Sequence, residues 1–129
     1  MRELKPACKV YAAEVATAAP LGISLAAGSP QVVADYQASF VDGIGSKTVF
    51  PQMLELAKLS LDGAIVAELD EVAAALRLVA ERNRVIAEGA GATAVAAALS
   101  GKAGSGKVVC IVSGGNIDFE KFCSIVMSN

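Results

Sequence analysis

Short apolar runs alternate with segments of helical periodicity along most of this 129-residue chain. Residues 9–15, 64–68 and 108–112 are rich in β-branched or small apolar side chains, and each run predicts a β-strand. The third run has five consecutive apolar residues between glycine-containing segments, which is typical of a strand buried on both faces. The pattern therefore predicts three strands, the last of them interior.

Helical segments separate and follow these strands. Proline favours the first turn of a helix, and glycine often follows the last turn. The predicted helices cover Pro20–Ala27, a segment from Pro51 to Asp62-Gly63 with Met53, Leu54, Leu56, Ala57 and Leu61 on its apolar face, a segment capped by Asp70, the alanine-rich residues 93–99, and Phe119–Met127 with Asp118 as its cap. Residues 28–50 have no sustained period and predict a long loop.

This order of elements predicts an α/β fold. Strands that alternate with helices pair in parallel and are covered on both faces, which gives three layers, α/β/α, around a short, mostly parallel sheet. Three strands are fewer than the roughly 4–6 that are usual in a sheet, so part of the apolar surface would stay uncovered. We therefore expect residues 1–129 to form one incomplete domain.

The composition extends this expectation to assembly and partners. Hydrophobic residues make up 54% of the chain, charged residues 19%, and the mean hydropathy is +0.54, which is high for an independent soluble domain. We expect either the interior of a larger fold or a homo-oligomer. The net charge of −2, without a basic cluster, predicts neither a nucleic-acid nor a membrane partner.

Histidine is absent from the sequence. The Ser-His-Asp and Cys-His nucleophile arrangements and the usual His-rich zinc sites are therefore excluded within these residues. The three cysteines, Cys8, Cys110 and Cys123, fit neither a disulfide framework nor a metal-binding spacing, and Cys110 falls in the predicted buried strand. With no apolar secretory segment near residue 1, we expect a reduced, cytoplasmic setting.

Polar residues at the ends of the predicted elements are the candidates for chemistry. Ser113 directly follows the third predicted strand, and ligands of parallel sheets bind at the carboxyl edge. Glu88 precedes the alanine-rich helix, as a helix cap or as a functional carboxylate, and Glu14 ends the first strand, where a structural role is the alternative. Residues 101–107 approach a phosphate-binding loop, but Val108 stands where magnesium binding needs Ser or Thr, which favours a solvated loop.

Several of these segments together resemble one family. Residues 88–92, Glu-Gly-Ala-Gly-Ala, precede an alanine-rich helix, and residues 113–118, Ser-Gly-Gly-Asn-Ile-Asp, follow a predicted strand. This pair is similar to the end of the catalytic domain of serine/threonine dehydratases, pyridoxal-phosphate enzymes of the tryptophan-synthase-β fold type that include serine racemase. Residues 9–14 and 41–44, the latter Val-Asp-Gly-Ile, are similar to two further segments of the family, in the same order.

The resemblance implies pyridoxal 5′-phosphate as the cofactor. Ser113 matches the serine that donates a hydrogen bond to the pyridine nitrogen, Gly43 matches a loop glycine beside the cofactor, and Glu88 matches a carboxylate near the ring. Gly114 and Asn116 belong to the turn that shapes this site. A hydroxyl cannot hold the ring nitrogen protonated, which weakens the electron sink and suits β-elimination.

The resemblance also implies a position for a divalent cation. Glu14 and the carbonyl oxygen of Ala18 match two contributors to the cation site of some members. Pro20 stands where those members have an acidic third ligand. A divalent cation is therefore the less favoured cofactor.

The sequence lacks three further motifs of the family: the cofactor-linked lysine in Ser-x-Lys-x-Arg-Gly, the substrate loop Ser-x-Gly-Asn-His, and the tetraglycine phosphate cradle. We expect the C-terminal part of the catalytic domain of an L-threonine/L-serine ammonia-lyase, which forms a 2-oxo acid and is inactive as this chain alone. Its expected partners are the remaining part of the same fold or a second copy, and a small amino acid as substrate. The alternatives are a non-catalytic self-associating module and a relative that racemises serine or dehydrates hydroxyaspartate.

Overall fold

The sheet in the computed structural model, which describes residues 3–128, has two parallel strands, β1 (Tyr11–Val15) and β2 (Gly63–Ala67). Their register sets Tyr11 opposite Gly63 and Val15 opposite Ala67. Parallel strands need a long crossover connection, and two helices and the predicted long loop supply it. The predicted first two strands are confirmed.

Helices form most of the remaining regular structure. In chain order they are α1 (Pro20–Ala27), a 3₁₀ turn (Asp42–Ile44), α2 (Pro51–Ser60), α3 (Leu69–Asn83), α4 (Gly89–Leu99) and α5 (Phe119–Met127). Helix α4 packs against α3, both strands and the 3₁₀ turn, while α1 packs against α2 and the sheet and α5 packs against α3. The predicted α/β class with three layers is confirmed, and each helix within residues 3–128 is too short to cross a lipid bilayer.

The predicted third strand is wrong. Residues 108–112 have no regular secondary structure, and Val109 and Ile111 are 84% and 70% exposed. A strand exists only when a neighbour supplies the other half of its hydrogen-bond ladder, and within residues 3–128 no neighbouring strand does so. Cys110 is accordingly half-buried outside any strand, not inside a buried one.

Two helix starts also differ from the prediction. Asp70 is not the cap of α3, because Glu68 occupies that position and forms a capping box with Glu71, whose Oε2 accepts the Glu68 N–H at 2.8 Å. Helix α4 begins at Gly89, four residues before the predicted start at Thr93, and Glu88 is its N-cap. At α3 the reciprocal Glu68–Glu71 capping box sets the start, whereas the Glu88 side chain makes no capping bond and the first turn of α4 consists of small residues that the apolar pattern did not include.

The apolar face of α2 is also corrected. Leu54 and Ala57 are buried, whereas Met53 and Leu56, which the periodicity assigned to the same face, are exposed. Apolar residues surround more than one side of this helix, so spacing alone does not identify the side that meets α1. The helix contributes a narrow buried stripe and an exposed apolar side.

The core lies between β1, β2 and the three later helices. Small and medium side chains dominate it, which lets the elements approach closely. Its buried members are Val15, Ala18, Val41, Ala67, Val72, Ala75, Leu76, Ala92, Ala96 and Phe122. Helix α4 thus enters the core through alanines, as its composition predicts.

Leu76→Ala tests this core. Leu76 is 0% exposed, so the substitution should lower the free energy of unfolding by about 2–5 kcal/mol, through lost transfer energy and a residual cavity. Leu59→Ala in α2, at a side chain that is 74% exposed, is the control and should change it by less than about 0.5 kcal/mol. Urea unfolding curves measure both, and equal losses would place the core elsewhere.

Candidate functional site

Three chain segments meet around the amino-terminal end of α4. They are the 3₁₀ turn with Gly43, the helix start from Glu88 to Gly91, and Gly114 in the turn after residues 108–112. We call Gly43, Glu88, Gly91 and Gly114 the glycine junction. The Glu88 N–H donates to the Gly114 carbonyl oxygen at 3.0 Å, so the backbone itself connects the last two segments.

The close approach of these segments is possible because glycine has no side chain. A Cβ on Gly91 would lie 2.6 Å from the Gly114 carbonyl oxygen, closer than van der Waals contact allows. A Cβ on Gly114 would lie 2.2 Å from Oε1 of Glu88, and one on Gly43 would lie 3.3 Å from the same oxygen. Glycine is therefore required at position 91, where the obstacle is backbone, whereas a Cβ at Gly43 or Gly114 would need neighbouring side chains to shift.

Glu88 is the half-buried carboxylate of the junction. It is the N-cap of α4, although its own carboxylate caps no helix N–H, and it extends instead between Gly43 and Gly114. The helix dipole favours a negative charge here. Glu88 therefore occupies the N-cap position of α4, and its carboxylate also lies at the candidate site. The two interpretations of Glu88 from the sequence, helix end and site carboxylate, are compatible.

Ser113 and Asn116 lie beside the junction on exposed backbone. Ser113 precedes Gly114, and its hydroxyl has no hydrogen-bond partner within residues 3–128, so it is free to donate to a ligand. Asn116 follows in the turn where the Ile117 N–H donates to Gly115 at 3.1 Å. The predicted cofactor residues thus share one region of the surface.

An ion pair connects the 3₁₀ turn to α5. Nζ of Lys121 lies 3.5 Å from Oδ2 of Asp42, the residue before Gly43. Both side chains are substantially exposed, so the pair contributes little energy. It orients the turn more than it stabilises it.

Glu14 lies apart from the junction, near the end of β1. It is buried, and its carboxylate oxygens accept the N–H groups of Leu21 at 2.7 Å and Gly22 at 2.8 Å. Burial raises the pKa of the Glu14 carboxyl, and the two backbone hydrogen bonds act in the opposite direction. Ala18, the other predicted cation contributor, is buried nearby and donates its N–H to Val15.

A mostly apolar cavity of about 390 Å³ lies beside Glu14, between β1, α1 and the segment that leads into α2. Among residues 3–128, Glu14 is the one charged residue that lines it, and Ile44 of the 3₁₀ turn forms part of its other wall. Ser46 and Thr48 add hydroxyl groups. The cavity thus belongs to the Glu14 region, and the four junction residues do not line it.

Sequence reasoning missed two contributors to these sites. Gly91 leaves space for the backbone of Gly114, and Gly22 makes room for Glu14, since a Cβ there would lie 3.1 Å from Oε2 of that residue. The available signal was glycine inside a helix, which costs about 0.5–1 kcal/mol relative to alanine and so indicates a packing requirement.

The fold and this site define a class of protein. The family model described as pyridoxal-phosphate dependent enzyme matches residues 1–114, and the chain belongs to that family. Pyridoxal phosphate is the cofactor of the family.

Particular relatives agree with the dehydratase resemblance. The L-threonine ammonia-lyase of Geobacter sulfurreducens is 32% identical over 128 residues, which cover 98% of this chain and 32% of the relative. The serine racemase of Dictyostelium discoideum is 34% identical, with 97% of this chain and 40% of the relative covered. The chain spans about a third of the length of these curated relatives and of others that it matches.

Solved structures give the same fold. The processed form of threonine deaminase isoform 2 from Solanum lycopersicum superposes with a TM-score of 0.86 at 27% identity, over 96% of this chain and 37% of that one. The serine racemase of Dictyostelium discoideum superposes with a TM-score of 0.78 at 35% identity, over 91% of this chain and 38% of that one.

Part of the family cofactor fits the residues present. The exposed Ser113 hydroxyl can donate to a ring nitrogen, and the glycine junction offers backbone without side chains beside it. The sequence has no counterpart of the family's lysine motif or tetraglycine phosphate cradle. The residues present therefore fit the pyridine ring of the cofactor, but not its phosphate group or its covalent link to lysine.

Two glycine variants test the junction. Gly91→Ala forces its Cβ against backbone and should lower the free energy of unfolding by about 1–3 kcal/mol, despite the better helix propensity of alanine. Gly114→Ala meets the movable end of Glu88 and should cost less.

Adding Glu88→Ala to each variant distinguishes a clash with backbone from a clash with the Glu88 side chain. It removes the obstacle to a Cβ at position 114, so it should recover most of the stability lost in Gly114→Ala, and it should leave Gly91→Ala unrecovered. Urea unfolding of the single and double variants measures this. Equal recovery in both backgrounds would contradict the described contacts.

Proposed function

We propose that this chain is the C-terminal part of the catalytic domain of a pyridoxal-phosphate-dependent L-threonine/L-serine ammonia-lyase. The complete enzyme would remove ammonia from the amino acid by β-elimination and form a 2-oxo acid. The identity to the L-threonine ammonia-lyases of Geobacter sulfurreducens and Thermotoga maritima supports this activity. The observation that carries the proposal is the meeting of Gly43, Glu88 and Gly114 beside the exposed Ser113 hydroxyl.

In this proposal Ser113 holds the pyridine nitrogen of the cofactor. Pyridoxal phosphate, when bound, supplies an electron sink for negative charge at the substrate Cα. The Ser113 hydroxyl donates a hydrogen bond to the nitrogen and brings no charge to keep it protonated. By bringing no positive charge to the ring nitrogen, Ser113 would favour prompt loss of the β-substituent.

The glycine junction supports Ser113 and borders the ring. The hydrogen bond from Glu88 N–H to Gly114 fixes the backbone that carries Ser113, and Asn116 shapes the following turn. Gly43 brings the 3₁₀ turn to the same place. Preorganised donors of this kind cost no rearrangement during the reaction.

The covalent step and phosphate binding would come from another part of the complete enzyme. No lysine in this sequence lies in the family's lysine motif, and the relatives are about three times as long as the chain. Covalent catalysis of this class needs that amine. We infer that the 129 residues alone are inactive, and the three free cysteines support a reducing, cytoplasmic location.

Serine racemisation is the second candidate activity. The racemase of Dictyostelium discoideum is 34% identical in sequence and superposes well. Chiral analysis of serine after incubation with the complete enzyme separates the two activities, since racemisation yields D-serine and the lyase yields pyruvate and ammonia.

Ser113→Ala in the complete enzyme tests the assigned role. Loss of this hydrogen bond should lower kcat by about 5- to 150-fold, the equivalent of about 1–3 kcal/mol, with a smaller change in KM. Ser105→Ala, in the exposed loop at residues 101–107, is the matched control and should leave both constants unchanged. An unchanged kcat in Ser113→Ala would reduce Ser113 to a turn residue.

Self-association of the chain is a further proposal, supported by the exposed apolar run at residues 108–112. Val109 and Ile111 are exposed, and each of the two strands has one edge that no other described strand covers. Exposed apolar surface and open sheet edges both favour association. The same surface would meet the remaining part of the fold in the complete enzyme.

The double variant Val109→Lys/Ile111→Lys tests this surface. The unmodified chain should sediment as a dimer or larger species at micromolar concentration, and the double variant should shift toward monomer because lysine opposes burial. Val32→Lys, at an exposed apolar residue in the long loop, should leave the distribution unchanged. A monomeric unmodified chain with a sharp thermal transition would refute the association.

A further inference from the structure

Both oxygens of the Glu14 carboxylate accept hydrogen bonds from one helix. Both of its oxygens accept backbone hydrogen bonds, from Leu21 at 2.7 Å and from Gly22 at 2.8 Å, and both donors belong to the first turn of α1. The first N–H groups of a helix have no partner inside the helix. Glu14, from the end of β1, therefore acts as the external cap of α1.

The sequence around α1 is adapted to this arrangement. Ala19, the N-cap residue, makes no side-chain capping bond, and Pro20 at the first position has no N–H to satisfy. Gly22 leaves space for the carboxylate, since a Cβ there would approach Oε2 of Glu14 to 3.1 Å. Three neighbouring positions thus accommodate one buried carboxylate.

These residues do not fit the cation that some family members hold at this position. Pro20 stands where those members have an acidic ligand, and both Glu14 oxygens face the amino-terminal turn of α1, whose partial positive charge opposes a cation. Within residues 3–128 no group of three or more His, Cys, Asp or Glu side chains could hold a metal ion. A cation here would face the partial positive charge of the α1 amino terminus and would find no second carboxylate at position 20.

We propose that the amino-terminal turn of α1 has replaced the divalent cation in this chain. The partial positive charge and free N–H groups of the helix end stabilise the buried Glu14 carboxylate, as a cation would. The contact joins the end of β1 to α1 and fixes one wall of the 390 Å³ cavity. The packing of this region is therefore independent of divalent cations.

Amide hydrogen exchange on the full 129-residue chain in EDTA tests the hydrogen bonds directly. The amides of Leu21 and Gly22 should be protected although no helical carbonyl accepts them. In Glu14→Ala both should exchange at least about tenfold faster, because a charge-assisted hydrogen bond is lost from each. Glu14→Gln offers one acceptor oxygen and should release at least one of the two amides.

Glu71→Gln is the matched control, since Glu71 caps α3 by the same chemistry and does not contact α1. It should leave Leu21 and Gly22 protected. Unprotected Leu21 and Gly22 amides in the unmodified chain, or unchanged protection in a folded Glu14→Ala variant, would overturn the proposal. The unmodified chain decides the question even where a variant does not fold.

Thermal unfolding of the same chain tests the independence from cations. Magnesium, calcium and manganese chlorides, each compared with EDTA at matched ionic strength, should give no saturable rise in Tm. A cation bound only to the folded state would raise Tm by several degrees at about a hundredfold excess over its Kd. A saturable rise that Glu14→Gln abolishes would overturn the proposal, and a rise retained in Glu14→Gln would support it, since the cation then binds elsewhere.

Discussion

The backbone contact between α4 and Gly114 decides where the candidate cofactor residues lie. Residues 108–112 have no ladder partner among the described strands, so no sheet positions the turn that follows them. The Glu88 N–H to Gly114 hydrogen bond, together with the close approach of Gly91, performs that task. Ser113 is therefore positioned by a helix end, and any side chain larger than hydrogen at position 91 would move it.

Helix α4 can do this because it is built from small residues. Ala92 and Ala96 are buried against α3 and the sheet, and Thr93 satisfies its buried hydroxyl by donating to the Gly89 carbonyl oxygen at 2.8 Å. Short side chains lose little conformational entropy on packing and allow close contact on several sides. The helix is thus held in the core while its first turn faces the site.

The two carboxylates of interest show how one residue type serves different ends. Glu14 is buried, and both of its oxygens accept N–H groups of α1. Glu88 is half-buried and extends between Gly43 and Gly114. Burial of a charge is tolerated only with hydrogen-bonding partners. Glu14 is therefore a structural group beside the cavity, and Glu88 is the carboxylate that we propose for the cofactor site.

The sequence by itself determined the α/β class, the first two strands, the bounds of α1 and α5, and the motifs that define the family, because these depend on local periodicity, end signals and residue spacing. It also indicated Glu14, Glu88 and Ser113. Only the tertiary structure decided that residues 108–112 form no strand, because strand formation requires a partner that composition cannot supply. It alone showed that Glu14 faces α1 and that Gly91 meets Gly114, since such contacts join segments distant in sequence and depend on distances of a few ångströms.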